Sequence, residues 1–186
     1  MQTTSGSRVR TQQAIVDAAI RVLATSPTAS LGEIAEAAQV GRTTLHRYFP
    51  DRAALIKELS TRAVSAITDA THQARLERDT GREAVVRLLQ SYFEIGDLLK
   101  VLLLTPGVYE EEEWAQHGDV DQELIDVVLR GHRDGTIDPE LSPEWVQNLI
   151  WALLYTSIDL VNRNQGPAFA VLSQAVTSLR RAVTPD

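Results

Sequence analysis

The chain has 186 residues, of which 44% are hydrophobic and 23% are charged, and it contains no cysteine. This length and apolar content allow one large domain or two small ones with real hydrophobic cores. The lack of cysteine excludes disulfides and thiolate metal sites. No apolar run follows the N-terminal MQTTSGSRVR, and no stretch approaches the roughly 20 apolar residues that span a bilayer. We therefore expect a cytoplasmic protein without a membrane partner.

The net charge of −7 is unevenly distributed along the chain. The first 62 residues contain eight Lys or Arg and five Asp or Glu, a net charge of +3, so the remainder carries −10. A basic N-terminal part ahead of an acidic remainder would turn the basic part toward a polyanion. Charges that merely keep a protein soluble would explain the −10 but not this clustering.

The first predicted helix covers residues 11–24 and has one apolar stripe, with its members three or four residues apart. The stripe consists of Ile15, Ala18, Ala19, Val22 and Leu23. Such spacing is typical of a helix that packs one face against its neighbours. Ser26-Pro27-Thr28 ends this helix.

Residues 30–57 predict two short amphipathic helices joined by a tight turn. Ser30 and Glu33 have the spacing of a capping box, in which each side chain binds a backbone N–H of the other residue. An apolar set continues through both helices and across the turn. It consists of Leu31, Ile34, Ala35, Ala38, Val40, Leu45 and Phe49. This layout is typical of a helix-turn-helix, whose second helix enters the major groove of DNA.

The second of these helices has a polar face opposite its apolar side. At about 100° per residue, Thr43 and Arg47 lie nearly opposite Leu45, and Thr44 and His46 flank it. Hydroxyl, imidazole and guanidinium groups bind phosphates and base edges. Arg42, in the first turn of the helix, is the better candidate for a phosphate contact, since helix N-termini favour anions.

The segment EIAEAAQVGRTTLHRYFPDRAALI resembles the DNA-binding segment of TetR-family transcriptional regulators, whose pattern is roughly IA..AGVS.GTLY.HF.SK..L. The matching positions are Ile34, Ala35, Ala38, Val40, Thr44, Leu45, Phe49 and Leu55. Thr43, His46, Tyr48 and Arg52 replace the usual Gly, Tyr, His and Lys. Gln39 replaces the Gly of the turn, where a positive φ is expected and a side chain costs about 1 kcal/mol. Gly41 replaces the usual Ser cap and is an acceptable cap itself.

We predict DNA contacts from eight residues of this segment: Ser30, Arg42, Thr43, Thr44, His46, Arg47, Tyr48 and Arg52. Arg52, together with Lys57, would bind the DNA backbone from the start of the next helix. The alternative is an ordinary helical hairpin whose threonines and arginines are only solvated.

A connecting helix and five further helical segments are predicted after the helix-turn-helix, and no strands. Asp51 caps a connecting helix that reaches about residue 76, and a second capping box of Thr80 and Glu83 opens a central buried helix. Ser142-Pro143 supplies a cap and a first-turn proline for a later helix. The predicted ranges after the connecting helix are 81–104, 120–133, 143–164 and 168–183, with a short segment at 109–116 that contains four glutamates.

The predicted fold class is therefore all-α, with about nine helices. We expect a three-helix DNA-binding domain at 1–50, a connecting helix at 51–79, and a C-terminal ligand-binding and dimerisation domain at 80–186. This helix order is similar to the full TetR-family architecture. The resemblance implies a homodimer built from the last two helices of each subunit and a small-molecule cavity in the C-terminal domain.

Apolar stripes on the last two predicted helices provide candidates for the dimer interface: Leu149, Leu153, Leu172, Val176 and Leu179. The alternative is that these stripes face only the core of their own subunit. Two recognition helices about 34 to 36 Å apart would contact successive major grooves of a palindrome, whereas one helix contacts too few base pairs for selectivity.

Candidates for the ligand cavity are aromatic or polar residues on otherwise apolar helices: Tyr92, Phe93, Asp97, Trp114, His117, Trp151, Tyr155 and Asp159. Apolar walls with a few polar groups are typical of small-molecule sites and favour an apolar or amphipathic effector. Asp97 and Asp159 would favour a cationic effector if both were buried without basic partners.

The sequence thus predicts a transcriptional repressor that binds a palindromic double-stranded DNA operator as a homodimer and is released by a small-molecule effector. One alternative is a constitutive regulator without an effector pocket. A more remote one is an all-helical enzyme. No histidine has Glu three residues before it, and Gly-rich phosphate loops, nucleophile elbows and HExxH motifs are missing. We therefore predict no catalytic residues, no cofactor and no metal.

Overall fold

The structure is a computed structural model that describes residues 3–105 and 118–185, within which nine helices and no strands are present. This agrees with the predicted all-α fold of about nine helices. The helices are α1 (Thr3–Thr25), α2 (Leu31–Ala37), α3 (Arg42–Tyr48), α4 (Arg52–Ala74), α5 (Gly81–Glu94), α6 (Gly96–Leu104), α7 (Gly118–Arg133), α8 (Pro143–Asn162) and α9 (Ala168–Val183).

Local capping signals placed most helix starts correctly. The Ser30 and Glu33 capping box forms as predicted. Asp51 Oδ1 accepts the N–H of Ala54 at 2.8 Å, and Ser142 Oγ accepts that of Trp145 ahead of a first-turn proline. Helix α1 differs, because it begins at Thr3 and not near residue 11. Its first two turns lack the apolar stripe from which the prediction was made.

The predicted helix over 81–104 is wrong as a single element. It is divided into α5 and α6 at Ile95, whose N–H bonds the carbonyl of Tyr92 in a tighter turn. The division coincides with Gly96, where an added Cβ would lie 3.3 Å from Ile158 Cγ1. The close approach of another helix at Gly96 could not be inferred from the apolar run alone.

Residues 3–63 and 97–105 form one compact unit, and residues 64–96 and 118–185 form a second. In the first unit, α2 packs against both α1 and α3. The predicted stripe of α1 is buried in this unit at Ile15, Ala18, Ala19 and Leu23, and Val22 is half-buried. The domain boundaries predicted at residues 50 and 79 stay predictions.

The second unit is built around α5, which packs against α7, α8 and α9. Its buried face includes Ala84, Val85, Leu88 and Leu89, as expected for a central helix. Only half of its predicted capping box forms. Thr80 Oγ1 accepts the N–H of Glu83, but the Glu83 carboxylate binds the guanidinium of Arg180 on α9 at 2.6 Å.

Within the two described stretches, no helix has both the length and the hydropathy needed to cross a bilayer.

Candidate nucleic-acid interface

The turn between α2 and α3 is held by backbone hydrogen bonds and one residue in the left-handed region. Ala38 N–H bonds Ile34 O, and Val40 N–H bonds Ala35 O at 3.0 Å. Gln39 has a φ of 56°, which is the positive φ predicted for this position. Gly41 caps α3 in an extended conformation without a side-chain hydrogen bond. Gln39 therefore has the positive φ expected in the turn, and Gly41 takes the position of the helix cap, as expected.

Helix α3 has a buried side and a solvent side, as its sequence predicts. Leu45 is fully buried, and Phe49 beyond the end of the helix is 3% exposed. Arg42, Thr43, His46 and Arg47 are exposed, whereas Thr44 and Tyr48 are half-buried. Hydrogen-bond donors and acceptors of α3 thus face solvent, while Leu45 and Phe49 anchor the helix by their burial.

The structure brings three of the predicted DNA-binding residues around one shallow depression of about 310 Å³. Ser30, Arg42 and His46 line it together with Leu31, Gly32 and Leu45. The guanidinium of Arg42 lies across the backbone of Gly32, where an added Cβ would be 3.3 Å from Nε. Gly32 therefore leaves room for this arginine beside the N-terminal turn of α2.

Two of these residues already have partners within the chain. His46 Nδ1 is 3.0 Å from the carbonyl oxygen of Pro50, which requires a proton on Nδ1. In the neutral ring, Nε2 is then an acceptor. The Ser30 hydroxyl donates to Glu33 Oε2 at 2.7 Å and accepts the N–H of Glu33. It is chiefly a helix cap.

Hydrogen bonds from the backbone N–H and the hydroxyl of Ser30 hold the pKa of Glu33 below its ordinary value of 4.5. A carboxylate with a depressed pKa stabilises the fold above its unfolded pKa, and this contribution is lost as pH falls through the folded value. The capping box is therefore complete at neutral pH.

Arg52 was predicted to bind the DNA backbone, and the structure gives it other partners. Its two terminal nitrogens donate to the carbonyl oxygens of Ala29 and of Pro27, the latter at 2.8 Å. In this arrangement Arg52 closes the loop between α1 and α2. A phosphate contact by Arg52 stays a prediction and would compete with these hydrogen bonds.

Tyr48 lies beside two guanidinium groups. Arg47 Cζ is 5.5 Å from the ring centroid, and Arg8 Cζ of α1 is 5.9 Å from it. Both distances are within the range of cation–π attraction. In the sequence, Arg8 stands out only as part of the N-terminal positive charge, because nothing local to α1 indicates its approach to α3.

Of the predicted cavity residues, Tyr92 and Trp151 come together. Their rings are stacked, with centroids 5.5 Å apart and an interplanar angle of 22°. Tyr92 OH is 2.8 Å from the hydroxyl of Thr71, whose own proton goes to Ile67 O, so Tyr92 is the donor. Phe93 is half-buried and Tyr155 is half exposed. Trp114 and His117 lie outside the described residues.

The condition for a cationic effector is not met by the two aspartates. Asp97 is exposed and belongs to the other compact unit. Asp159 Oδ2 forms an ion pair with Arg163 Nε at 2.9 Å. A separate depression of about 490 Å³ is lined by residues of α4, α7 and the segment after α4, including His72, Leu76 and Arg130, and by none of the predicted cavity residues.

The predicted dimer residues divide into two groups. Leu149, Leu153, Leu172 and Val176 are half-buried within one chain and retain surface for a partner. Leu179 is fully buried in its own subunit, so the structure assigns it to the core. Trp145 and Phe169, on the same two helices, are 62% and 77% exposed. The sequence pattern already offered Phe169 as apolar material for the interface, but not Trp145.

Comparison with known proteins agrees with this geometry. Residues 15–59 match the family model described as bacterial regulatory proteins, tetR family. The chain is 34% identical over 179 residues to the HTH-type transcriptional repressor LfrR of Mycolicibacterium smegmatis, an alignment that covers 96% of this chain and 93% of LfrR.

Solved structures give the same result for the fold. The crystal structure of LfrR in complex with proflavine superposes with a TM-score of 0.71 at 28% identity, covering 95% of this chain and 99% of that one. The regulator KstR2 of Mycobacterium tuberculosis, at 16% identity, has a TM-score of 0.74 over 94% of this chain and 95% of its own. The chain belongs to the TetR family of DNA-binding transcriptional regulators.

Proposed function

We propose that this protein is a repressor that binds a palindromic operator as a homodimer and is released by a flat aromatic effector. The observation that carries the DNA-binding part is the division of α3 into a buried side at Leu45 and an exposed side at Thr43 and Arg47. The name of the relative LfrR, a transcriptional repressor, supports the direction of regulation.

The DNA-binding surface is tested with mobility shifts on the intergenic DNA upstream of the gene. Arg47→Ala and Thr43→Ala should each weaken operator binding by about 1 to 3 kcal/mol for each base edge that the native side chain binds, with the fold intact. Arg21→Ala, at an exposed position of α1, is the matched control and should bind like the wild type. Equal binding by all four proteins would show that the face is misassigned.

The proposed effector is a flat aromatic molecule because the second unit already holds a stacked aromatic pair. Trp151 is half-buried and lies against Tyr92, so an inserted ring could stack on the indole in place of the phenol. The LfrR structure contains proflavine, a ligand of this shape. Such a ligand would release DNA only to the extent that it binds the DNA-free conformation better.

Proflavine is therefore the probe for the effector site. It should raise the melting temperature of the wild type, by the equivalent of about 2.7 kcal/mol at 100 times Kd, and should dissociate the protein from operator DNA. Trp151→Leu should abolish both effects, and Trp151→Phe should keep them. Persistence of both effects in Trp151→Leu would place the ligand elsewhere.

A constitutive regulator is the second candidate, and the burial of Tyr92 favours it. The ring is 4% exposed and its hydroxyl is hydrogen-bonded, so a ligand must displace a satisfied side chain. Operator binding that no member of a panel of flat aromatic compounds weakens would support this candidate. A catalytic role has no support from the family, whose members are regulators.

A further inference from the structure

The first turns of α1 place an arginine beside the recognition helix. Arg8 Cζ lies 5.9 Å from the centroid of the Tyr48 ring, and Arg47 Cζ approaches the same ring to 5.5 Å. The guanidinium of Arg8 thus lies near the aromatic ring. Because Arg8 is exposed, its N–H donors remain open to solvent. Sequence spacing alone would leave these residues forty positions apart.

Helix geometry explains why Arg8, and not Arg10, reaches α3. Arg8 precedes the fully buried Ile15 by seven residues, which is about two turns, so the two side chains lie on one face of α1. Arg10 is two residues further on and points about 200° away. The buried face of α1 therefore carries Arg8 toward the rest of its unit, and Arg10 is left on another side.

The charges of Arg8, Arg42 and Arg47 are not neutralised by ion pairs within the described part of the chain. In the described residues of the first unit, one ion pair is present, between Arg62 and Glu58. None of the ion pairs in residues 3–105 and 118–185 includes Arg8, Arg42 or Arg47. Both guanidinium carbons lie within 6 Å of one ring centroid, so they are at most about 11 Å apart, and at physiological salt, where the screening length is about 8 Å, their repulsion is only partly screened. A polyanion placed between or across them would turn this repulsion into attraction.

We propose that Arg8 binds the phosphate backbone of DNA, and that Tyr48 positions it beside the recognition helix. This rests on the proposed function, because it adds a contact to the same DNA-binding surface. The guanidinium offers five donors in a planar fork, and cation–π attraction to the ring at 5.9 Å leaves these donors free for phosphate oxygens. A backbone contact fixes the orientation of α3 in the groove without reading bases.

The experiment measures the dependence of the dissociation constant on salt concentration, with the upstream intergenic duplex and an unrelated duplex of equal length. Arg8→Ala should reduce the slope of log K against log salt by about 0.9 for each bound subunit on both duplexes. The salt-induced decrease in affinity between about 50 and 200 mM should shrink about 3-fold for each phosphate that Arg8 binds. Arg10→Ala is the control of equal charge on the same helix and should keep the wild-type slope.

The role of Tyr48 is tested by a double-mutant cycle. In a Tyr48→Leu background, Arg8→Ala should change the slope less than it does in the wild type, because Arg8 is no longer held in place. Melting temperatures of all variants establish that they fold.

Three outcomes would overturn the inference in distinguishable ways. Failure of the wild type to bind either duplex would refute the proposed function itself. Wild-type binding with an unchanged slope in Arg8→Ala would refute the Arg8 contact alone. An equal reduction of the slope in Arg8→Ala and Arg10→Ala would show general attraction by the N-terminal charge, without a positioned contact.

Discussion

Gln39 has a φ of 56° in the turn between α2 and α3, a conformation that L side chains rarely adopt. Its side chain is exposed, and its backbone N–H bonds Glu36 O at 3.0 Å. The left-handed conformation costs a residue with a Cβ about 1 kcal/mol more than it costs glycine. The conformation of Gln39 therefore lowers the free energy of unfolding relative to a chain with glycine in this turn.

We expect Gln39→Gly to raise the free energy of unfolding by about 1 kcal/mol, since glycine relieves the strain at positive φ. Urea denaturation followed by circular dichroism measures the change. Glu36→Gly, in the last turn of α2, is the control and should lower stability by up to about 1 kcal/mol. A destabilised Gln39→Gly would mean that the side chain makes a contact worth more than the strain.

At the scale of single residues, local geometry decided what the sequence could predict. The Ser30 and Glu33 box and the exposed face of α3 follow from spacings of three or four residues, and both were predicted. Arg52 bonds carbonyls 23 and 25 residues earlier, a contact that depends on how three helices pack. Arg8 meets Tyr48 for the same kind of reason. Sequence periodicity carries no information on such distant pairs.

At the scale of elements, the start of α5 is held by the loop that follows α7. Asp134 Oδ2 accepts the N–H of Gly81 at 2.9 Å, and Thr136 Oγ1 accepts that of Arg82. With Thr80 on the Glu83 N–H, three of the four free N–H groups of the first turn are satisfied. The sequence identified the Thr80 cap, but the other two acceptors come from more than 50 residues away.

This capping network also lowers the pKa of Asp134. Partial burial of the carboxyl raises its pKa, but hydrogen bonds from Thr136 and Gly81 and the charge of Arg130 outweigh that effect and bring it below 3.8. The ionised carboxylate therefore stabilises the fold above the unfolded pKa, and the contribution disappears as pH falls through the lower folded value.

We expect Asp134→Asn to lower the urea midpoint near pH 7 and to match the wild type once the pH is well below 3.8. Glu123→Gln, which removes a charge from an exposed position of α7, is the control and should leave the wild-type difference between the two pH values intact. If Asp134→Asn and the wild type differ equally at both pH values, the ionised form is not what stabilises α5.

The crossing of α5 and α7 depends on two glycines. A Cβ added to Gly81 would lie 2.4 Å from Gly131 Cα, and one added to Gly131 would lie 2.5 Å from Ile137 Cδ1. Both distances are shorter than Cβ atoms show in real proteins, so a side chain at either position would force neighbouring atoms to move. The sequence placed Gly131 inside the predicted helix 120–133 without indicating this contact, because close approach between helices leaves no periodic signal.

Gly131→Ala should therefore destabilise the second unit by about 1 to 3 kcal/mol, the usual range for overpacking. Thermal unfolding measured by calorimetry gives the change. Gly6→Ala is the matched control, since a Cβ there meets nothing within 4 Å, and it should be neutral or slightly stabilising. Unchanged stability of Gly131→Ala would mean that the Ile137 side chain moves away from the added methyl group without cost.

At the scale of the whole molecule, α8 and α9 expose large apolar side chains that a second subunit could cover. Trp145 and Phe169 are largely exposed, and Leu149, Leu172 and Val176 are half-buried beside them at helical spacings. Burial of large aromatic side chains dominates interface energetics. The same two helices also contribute Ile150 and Leu179 to the core of their own subunit. Only the burial of each residue in the folded chain distinguishes these core residues from the interface candidates. The sequence pattern could not divide them.

We expect Phe169→Glu to give a monomer that folds, because the substituted side chain is 77% exposed within one chain and the added charge would be buried without a partner in a dimer. Light scattering measures the mass, and mobility shifts should show operator affinity falling about 10³-fold, toward non-specific binding, since one recognition helix alone contacts a half-site. Leu129→Glu places the same charge at another exposed apolar position, on α7, and should remain dimeric with full operator affinity. A dimeric Phe169→Glu would assign the interface to another surface. A monomer with undiminished operator affinity would instead separate dimerisation from recognition.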